Sequence, residues 1–196
     1  TTLLGAMRAE VFLLHPLSVA SFRPEPMPRV RAFQALGVPG VARTVPVYLG
    51  QATWRNPDTG ARRSIQLVGF DIDAGVMSFP GLDAVAPALR RPDTLAFDER
   101  SRSEFGPVPA MLAANGPFEV EVSNRRVRVE GLVRIGPSFE ADGNAVLSEV
   151  NFRRVLPGRA ASGVDLVAIS LAPGADPAAV RRALAAALPA DVVILT

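Results

Sequence analysis

The same order of signals, strand then helix then strand, stands at both ends of this chain, and it constrains the fold more than anything between. At the opening, Glu10 to Leu14 (E-V-F-L-L) reads as a short strand, with Met7 to Ala9 leading in and His15 to Pro26 as a proline-bearing loop. Pro28 sits where a first helical turn tolerates proline, and Val30, Phe33 and Leu36 follow at helical spacing. Gly37 and Pro39 end that helix, and Val41 to Arg55 resumes as strand. At the close, Val164 to Leu171 is a strand with Val167, Ile169 and Leu171 on one face. Asp176-Pro177 starts a helix as N-cap acid and first-turn proline, and Val180, Ala183, Leu184, Ala187 and Leu188 form one apolar stripe. Pro189 stops it, and Val192 to Leu195 is a buried strand. Two β-α-β units thus bracket the chain, at roughly 8–50 and 164–196, and a split β-α-β sandwich built from both would bring the chain ends together.

Between them the texture changes. Asn56-Pro57-Asp58-Thr59-Gly60 is the clearest turn: proline presets φ, Asn and Asp bond locally, and glycine accepts a positive φ. Strand signals on both sides, Tyr48 to Trp54 and Ser64 to Phe70, predict a long β-hairpin. From about Asp73 to Ser162 the elements are short. Leu82 to Arg90 is helical within the limit Pro87 sets, Thr94 to Phe97 is strand, and Asp98 to Phe105 is a charged helical turn. Phe118 to Val122 and Arg126 to Ile135 form a second hairpin; Glu140 to Asn144 is a turn, Ala145 to Leu147 is extended, and Glu149 to Val155 is helical. The expected class is α+β, with a discontinuous subdomain of residues 1–72 and 163–196 and an inserted small α+β subdomain of residues 73–162.

Composition removes whole classes of chemistry. The 196 residues are 48% hydrophobic and 20% charged, enough to bury a core and too apolar for disorder. All 21 basic residues are arginine and there is no cysteine. Without lysine the chain is neither a P-loop NTPase nor a Schiff-base enzyme. With no cysteine and a single histidine, His15, thiol catalysis and a Cys/His zinc site are excluded as well. The pI of about 10.2 records the absence of lysine: 19 carboxylates face 21 arginines, a net charge of only +2. Dispersed arginine pairs with acids between them, one Trp and one Tyr argue against nucleic-acid binding. No apolar run approaches the ~20 residues of a membrane-spanning helix. No signal peptide is visible, and a start at Thr1 reads as an excised fragment.

The candidate active groups have plainer explanations. His15 has no serine, cysteine or second histidine at a suggestive spacing, and no G-x-S-x-G elbow exists to present a serine. Asp71-Ile72-Asp73-Ala74-Gly75 lacks the later ligand positions of a calcium loop, so its acids are expected to end a strand and cap the next element. Glu140 and Asp142 sit in a turn, where backbone chemistry accounts for them. Asp98 to Glu104 alternates in charge and reads as a solvated helix face with Arg100 paired to Glu104, although Phe97 and Phe105-Gly106-Pro107 bracket it as a packed motif would be bracketed. Trp54 beside the hairpin turn is either core or an exposed anchor on a binding tip.

Six stretches, taken together and in order, resemble the extracytoplasmic domain of DevC-like ABC exporter permeases of the MacB-type (type VII) superfamily. They are R-A-F-Q-A-L-G-V-P-G-V (31–41), P-V-Y-L-G-Q-A-T-W-R-N-P-D-T-G (46–60), I-Q-L-V-G-F-D (65–71), R-R-P-D-T-L-A-F-D-E-R-S-R-S-E-F-G-P (90–107), G-P-S-F-E-A-D-G-N (136–144) and L-A-P-G-A-D-P-A-A-V-R-R-A-L (171–184). The resemblance implies a periplasmic domain of an inner-membrane permease, made of a porter-like subdomain from both chain ends and an inserted Sabre-like subdomain. It implies no enzyme activity and no cofactor in this chain, with the ATPase in a separate subunit or domain. The implied partners are an HlyD-like membrane-fusion adaptor, the ABC ATPase and a second permease copy, in tripartite efflux of a lipid-like or hydrophobic substrate. Candidate partner-binding residues are those of the hairpin tip, Trp54, Arg55, Asn56, Asp58 and Arg62, and of the loop Phe139, Glu140, Asp142 and Asn144, because tips and loops present function on a rigid scaffold. A lipoprotein-releasing permease domain and a free-standing periplasmic ligand-binding module are the alternatives.

Overall fold

One long strand organises the molecule. In the computed structural model, which describes residues 11–15, 26–75, 77–135 and 141–195, the chain runs β1 (Val11–Leu14), α1 (Val30–Leu36), β2 (Val41–Arg55) and β3 (Arg62–Phe70). It continues through α2 (Leu82–Leu89), β4 (Thr94–Asp98), α3 (Val108–Asn115), β5 (Phe118–Val122), β6 (Arg125–Val133) and β7 (Asn144–Ser148). It ends with α4 (Glu149–Val155), α5 (Pro157–Ala161), β8 (Leu166–Leu171), α6 (Pro177–Ala187) and β9 (Val193–Leu195). Met7 to Glu10, most of the expected His15 to Pro26 loop and the start of the Glu140 turn lie outside the described residues.

The first half of β2 belongs to a four-stranded sheet of order β2-β8-β1-β9, antiparallel throughout. Each β-α-β unit holds a strand of the other between its own two, which is the split β-α-β sandwich expected from the two ends. Phe12 lies opposite Leu195, so the first and last described strands are neighbours. The Asp176 carboxylate accepts from the Ala178 N–H at 3.1 Å and caps α6; of its expected stripe Val180, Leu184 and, just past the helix, Leu188 are buried, Ala183 is half-buried and Ala187 is exposed.

The second half of β2 enters a different structure. It pairs with β3 from Val47–Phe70 to Arg55–Arg62, the long hairpin, and meets β5 at Trp54–Val122. β3 pairs in parallel with β7, β7 with β4, β4 in parallel with β6, and β6 with β5, so six strands close a ring. Trp54, Ile65, Leu67, Leu95, Phe97, Val120, Val127 and Leu147 fill one core cluster with Phe105. Ser123 and Asn124 both take positive φ, 47° and 62°, giving the β5–β6 hairpin a two-residue turn that matches strand twist. The expected Ser123-Asn124-Arg125 link is therefore one residue shorter.

Helix α4 presses on the hairpin where β2 and β3 carry glycines: a Cβ on Gly69 would lie 2.5 Å from the Phe152 Cβ, and one on Gly50 would lie 2.7 Å from Leu156 Cδ1. The vacancy above the two glycines seats Phe152, whose ring lies 5.5 Å from that of Tyr48. Two helices went unread in the sequence. α3 buries only Val108 and α5 buries nothing, so neither carries an apolar stripe. The charged run after β4 is helical only at its end: it leaves the strand in a turn and closes in a 3-10 turn, Ser103–Phe105.

Candidate functional site

At the end of the six-stranded ring farthest along β2 from the terminal strands, three loops meet. The hairpin turn 56–60 is tied to the run 98–106 after β4 by the Asn56 amide, and that run, the turn 141–144 before β7 and the start of β3 are tied by side chains of opposite charge. Arg63, the second residue of β3, stands at the centre: its guanidinium lies 3.3 Å from Asp142 Oδ2, 3.8 Å from Glu104 Oε1 and 5.6 Å from the centre of the Phe105 ring. Arg102 adds a second bond to Asp142 at 2.9 Å. The Glu104 carboxyl is held below the usual carboxylate range, first by its own backbone N–H and then by Arg63.

Beneath these exposed pairs the run is anchored in the core. Asp98 is fully buried and accepts from the N–H groups of Arg100 (3.1 Å) and Ile135 (2.9 Å) and from Asn144 Nδ2 (3.1 Å). The Ser101 hydroxyl accepts from the Asn144 N–H at 3.2 Å, and the Phe105 ring lies so close to Gly143 that a Cβ there would be 2.6 Å away. Glu104, expected to pair with Arg100, turns to Arg63 instead, because no helix brings positions 100 and 104 onto one face.

The sequence candidates fall into three groups. Trp54 is not an exposed anchor: it is wholly buried, its indole N–H donates to the Phe105 carbonyl at 2.8 Å, and its ring lies 5.1 Å from Phe97. Alternation along β2 puts it on the face of Tyr48 and Ala52, which points into the ring. Asn56 and Asn144 are also buried, as turn and loop clamps; Asn56 Oδ1 accepts from the N–H groups of Asp58 and Thr59, and its Nδ2 donates to the Glu104 carbonyl at 3.0 Å. Arg55, Asp58 and Arg62 are exposed, with Arg55 at 3.3 Å and Arg62 at 3.9 Å from Glu121 on β5. Asp142 is half-exposed in its two ion pairs, and Phe139 and Glu140 lie outside the described residues.

The structure thus brings the hairpin tip and the 141–144 turn together through residues that were not chosen: Arg63, Asp98, Ser101, Arg102 and Phe105. Their signal was the aromatic bracket around the charged run. Beside the clamp a polar groove of about 670 Å³ runs between the hairpin turn and β5, lined by Arg55, Asp58, Glu119, Glu121 and Arg126. These groups are fixed charges at a rigid tip, suited to contact with another surface.

The other candidates are explained locally. Asp71 accepts from the Asp73 N–H at 3.0 Å and caps a 3-10 turn, while Asp73 takes Arg90 at 2.6 Å. His15 is half-buried just after β1, and the Asp191 carboxyl is held below the usual carboxylate range chiefly by its hydrogen bonds from Arg31 at 2.7 and 3.2 Å. Among the described residues no group of three or more His, Cys, Asp or Glu side chains could hold a metal ion. No helix among them is long and apolar enough to cross a membrane.

No protein-family model and no curated protein matches the chain. Solved structures do. The extracellular domain of the noncanonical ABC-type transporter YknZ from Gram-positive bacteria aligns over 95% of this chain and 99% of its own, at 12% identity and a TM-score of 0.62. The periplasmic region of MacB from Actinobacillus actinomycetemcomitans aligns over 98% and 91%, at 10% identity and a TM-score of 0.61. A domain assigned to a permease protein of Porphyromonas gingivalis aligns over 84% and 76%, at 14% identity and a TM-score of 0.50. The architecture built here from a split β-α-β sheet and a six-stranded ring is the α+β fold of the extracytoplasmic domains of MacB and YknZ transporters.

Proposed function

We propose that this chain is the periplasmic domain of an ABC exporter permease in the inner membrane, and that it passes motion driven by a separate ATPase to an HlyD-like membrane-fusion adaptor. Its cargo in this reading is lipid-like or hydrophobic, the permease works as a homodimer, and the adaptor docks at the clamped tip. Residues 1–72 and 163–196 are the porter-like part and 73–162 the Sabre-like insert, with β2 running from the terminal sheet into the ring.

The observation that carries the reading is β2. It is hydrogen-bonded at one end to β8, beside the neighbouring first and last strands, and at the other to β3 and β5 under the clamp. Fifteen residues at ~3.3 Å each make a rod of about 50 Å. A displacement applied where the chain enters and leaves is delivered to the tip without a flexible joint.

Two measurements test it. The parent gene should encode an apolar run of ~20 residues before residue 1 and about three after residue 196. The permease should bind its adaptor, and the double substitution Arg55→Glu with Arg62→Glu should weaken that binding at least tenfold while leaving the unfolding midpoint in place. A gene with a cleavable signal and a stop soon after residue 196 favours the soluble ligand-binding module and overturns the proposal. Binding to a soluble carrier in place of an adaptor favours the lipoprotein-releasing type.

A further inference from the structure

Helix α1 turns the wrong face to the sheet for an ordinary amphipathic helix. Its small residues Ala32 and Ala35 are buried, and its large ones stand outside: Val30 is 47% exposed, Phe33 65% and Leu36 47%. The only other large apolar side chain so exposed among the described residues is Val150, at 61%, on the first turn of α4. Phe33 and Leu36 line a groove of about 460 Å³ and Val150 lines a second of about 440 Å³; the two share Asp71, Asp73 and Glu149 as a common border. Three of the four strongly exposed large apolar side chains of the described residues therefore line two adjoining grooves, and the fourth, Val30, stands on the same helix as two of them, where scattered single residues would be ordinary.

We infer that this face is a two-fold contact with a second copy of the chain, Phe33 of each copy entering the groove of the other. Two features favour that occupant. The patch holds both a projecting aromatic and a recess able to take it, and a head-to-tail contact would need a second apolar patch elsewhere, which the described surface lacks. Its rim also carries both signs, with Arg29 3.0 Å from Glu149 and Arg90 2.6 Å from Asp73. A partner of one sign finds no matching field there, whereas a second copy presents the same mixture of signs and can set each against its opposite. Four large side chains make a face well below the ~800 Å² per partner of a stable complex, so the contact is weak in solution. Tethering two copies in one membrane raises the effective concentration to the millimolar range, where such a face closes. The inference deepens the homodimer of the transporter reading by giving it a surface.

The absence of cysteine makes the test clean, because a single introduced thiol can join only its own counterpart. Sedimentation of the 196-residue chain up to about 1 mM should show concentration-dependent dimer, and Phe33→Asp should weaken it at least tenfold without lowering the unfolding midpoint. Val30→Cys and Leu36→Cys should form disulfide-linked dimer on mild oxidation at least tenfold faster than Thr59→Cys at the far tip. A chain that stays monomeric, a dimer indifferent to Phe33→Asp, or equal linkage through Thr59→Cys would each overturn the inference. A face that takes only a foreign protein also appears as the monomer. None of these results touches adaptor binding, which is measured separately.

Discussion

Helix α1 and the run 98–105 invert each other. The helix shows regular apolar spacing, which ordinarily marks a core face, yet its large side chains are outside. The run is the densest stretch of charge in the chain, yet it is pinned by a buried aspartate at one end and a buried phenylalanine at the other. The difference lies in what surrounds each segment. Helix α1 approaches the sheet on alanines and is held by Arg31 to Asp191 near β9, so close packing leaves its larger residues no room beneath. The run leaves a fully buried strand and has to satisfy backbone groups at the mouth of a closed ring, which Asp98 does with one carboxylate. Polarity of a segment did not decide its burial; the partners available to its backbone did.

The largest effect should come from breaking the buried anchor. Asp98→Ala leaves the Ile135 and Arg100 N–H groups and Asn144 Nδ2 short of an acceptor and should cost ~3 kcal/mol or more in urea unfolding. A loss within 0.5 kcal/mol, about that of a surface change, would mean that the run is only laid on the surface. At the helix, Ala35→Leu should cost ~1–3 kcal/mol by overpacking, while Phe33→Ser on the isolated chain should stay within ~0.5 kcal/mol. The reverse order would restore an ordinary core face. A smaller effect separates buried from surface charge. Asp93 is held below the usual carboxylate range chiefly by its hydrogen bond from Arg125, at 2.7 Å. A depressed folded pKa adds stability above the unfolded value of about 3.9 and loses it as pH falls through the folded one. Asp93→Asn should therefore flatten the fall of the unfolding midpoint below about pH 4, and an unchanged acid limb would remove Asp93 from the account.

Much of the fold was legible because it was local. The hairpin of β2 and β3 followed from Asn56-Pro57-Asp58-Thr59-Gly60, and α6 from Asp176-Pro177 and its stripe. The split sheet followed from repeating one grammar at both ends. The closed ring did not, since the parallel pairs β3–β7 and β4–β6 join segments far apart in sequence with no turn to announce them. At the candidate site the hairpin turn and the turn before β7 were legible as loops, and the clamp between them was not. Arg63 looked like one more dispersed arginine, and nothing near it names Asp142 or Glu104 as its partners. Trp54 could be read either way until the ring set the direction of its face.

A strand shared by two sheets also governs how the molecule comes apart. Neither the terminal sheet nor the ring can open without stripping hydrogen bonds from β2, so local unfolding of one half exposes an edge of the other. The chain should melt in one transition despite its two-part architecture, and amide exchange should be slowest in the middle of β2, around Val47 to Ala52. The strand that joins the two halves would then be the last to yield when the domain is strained.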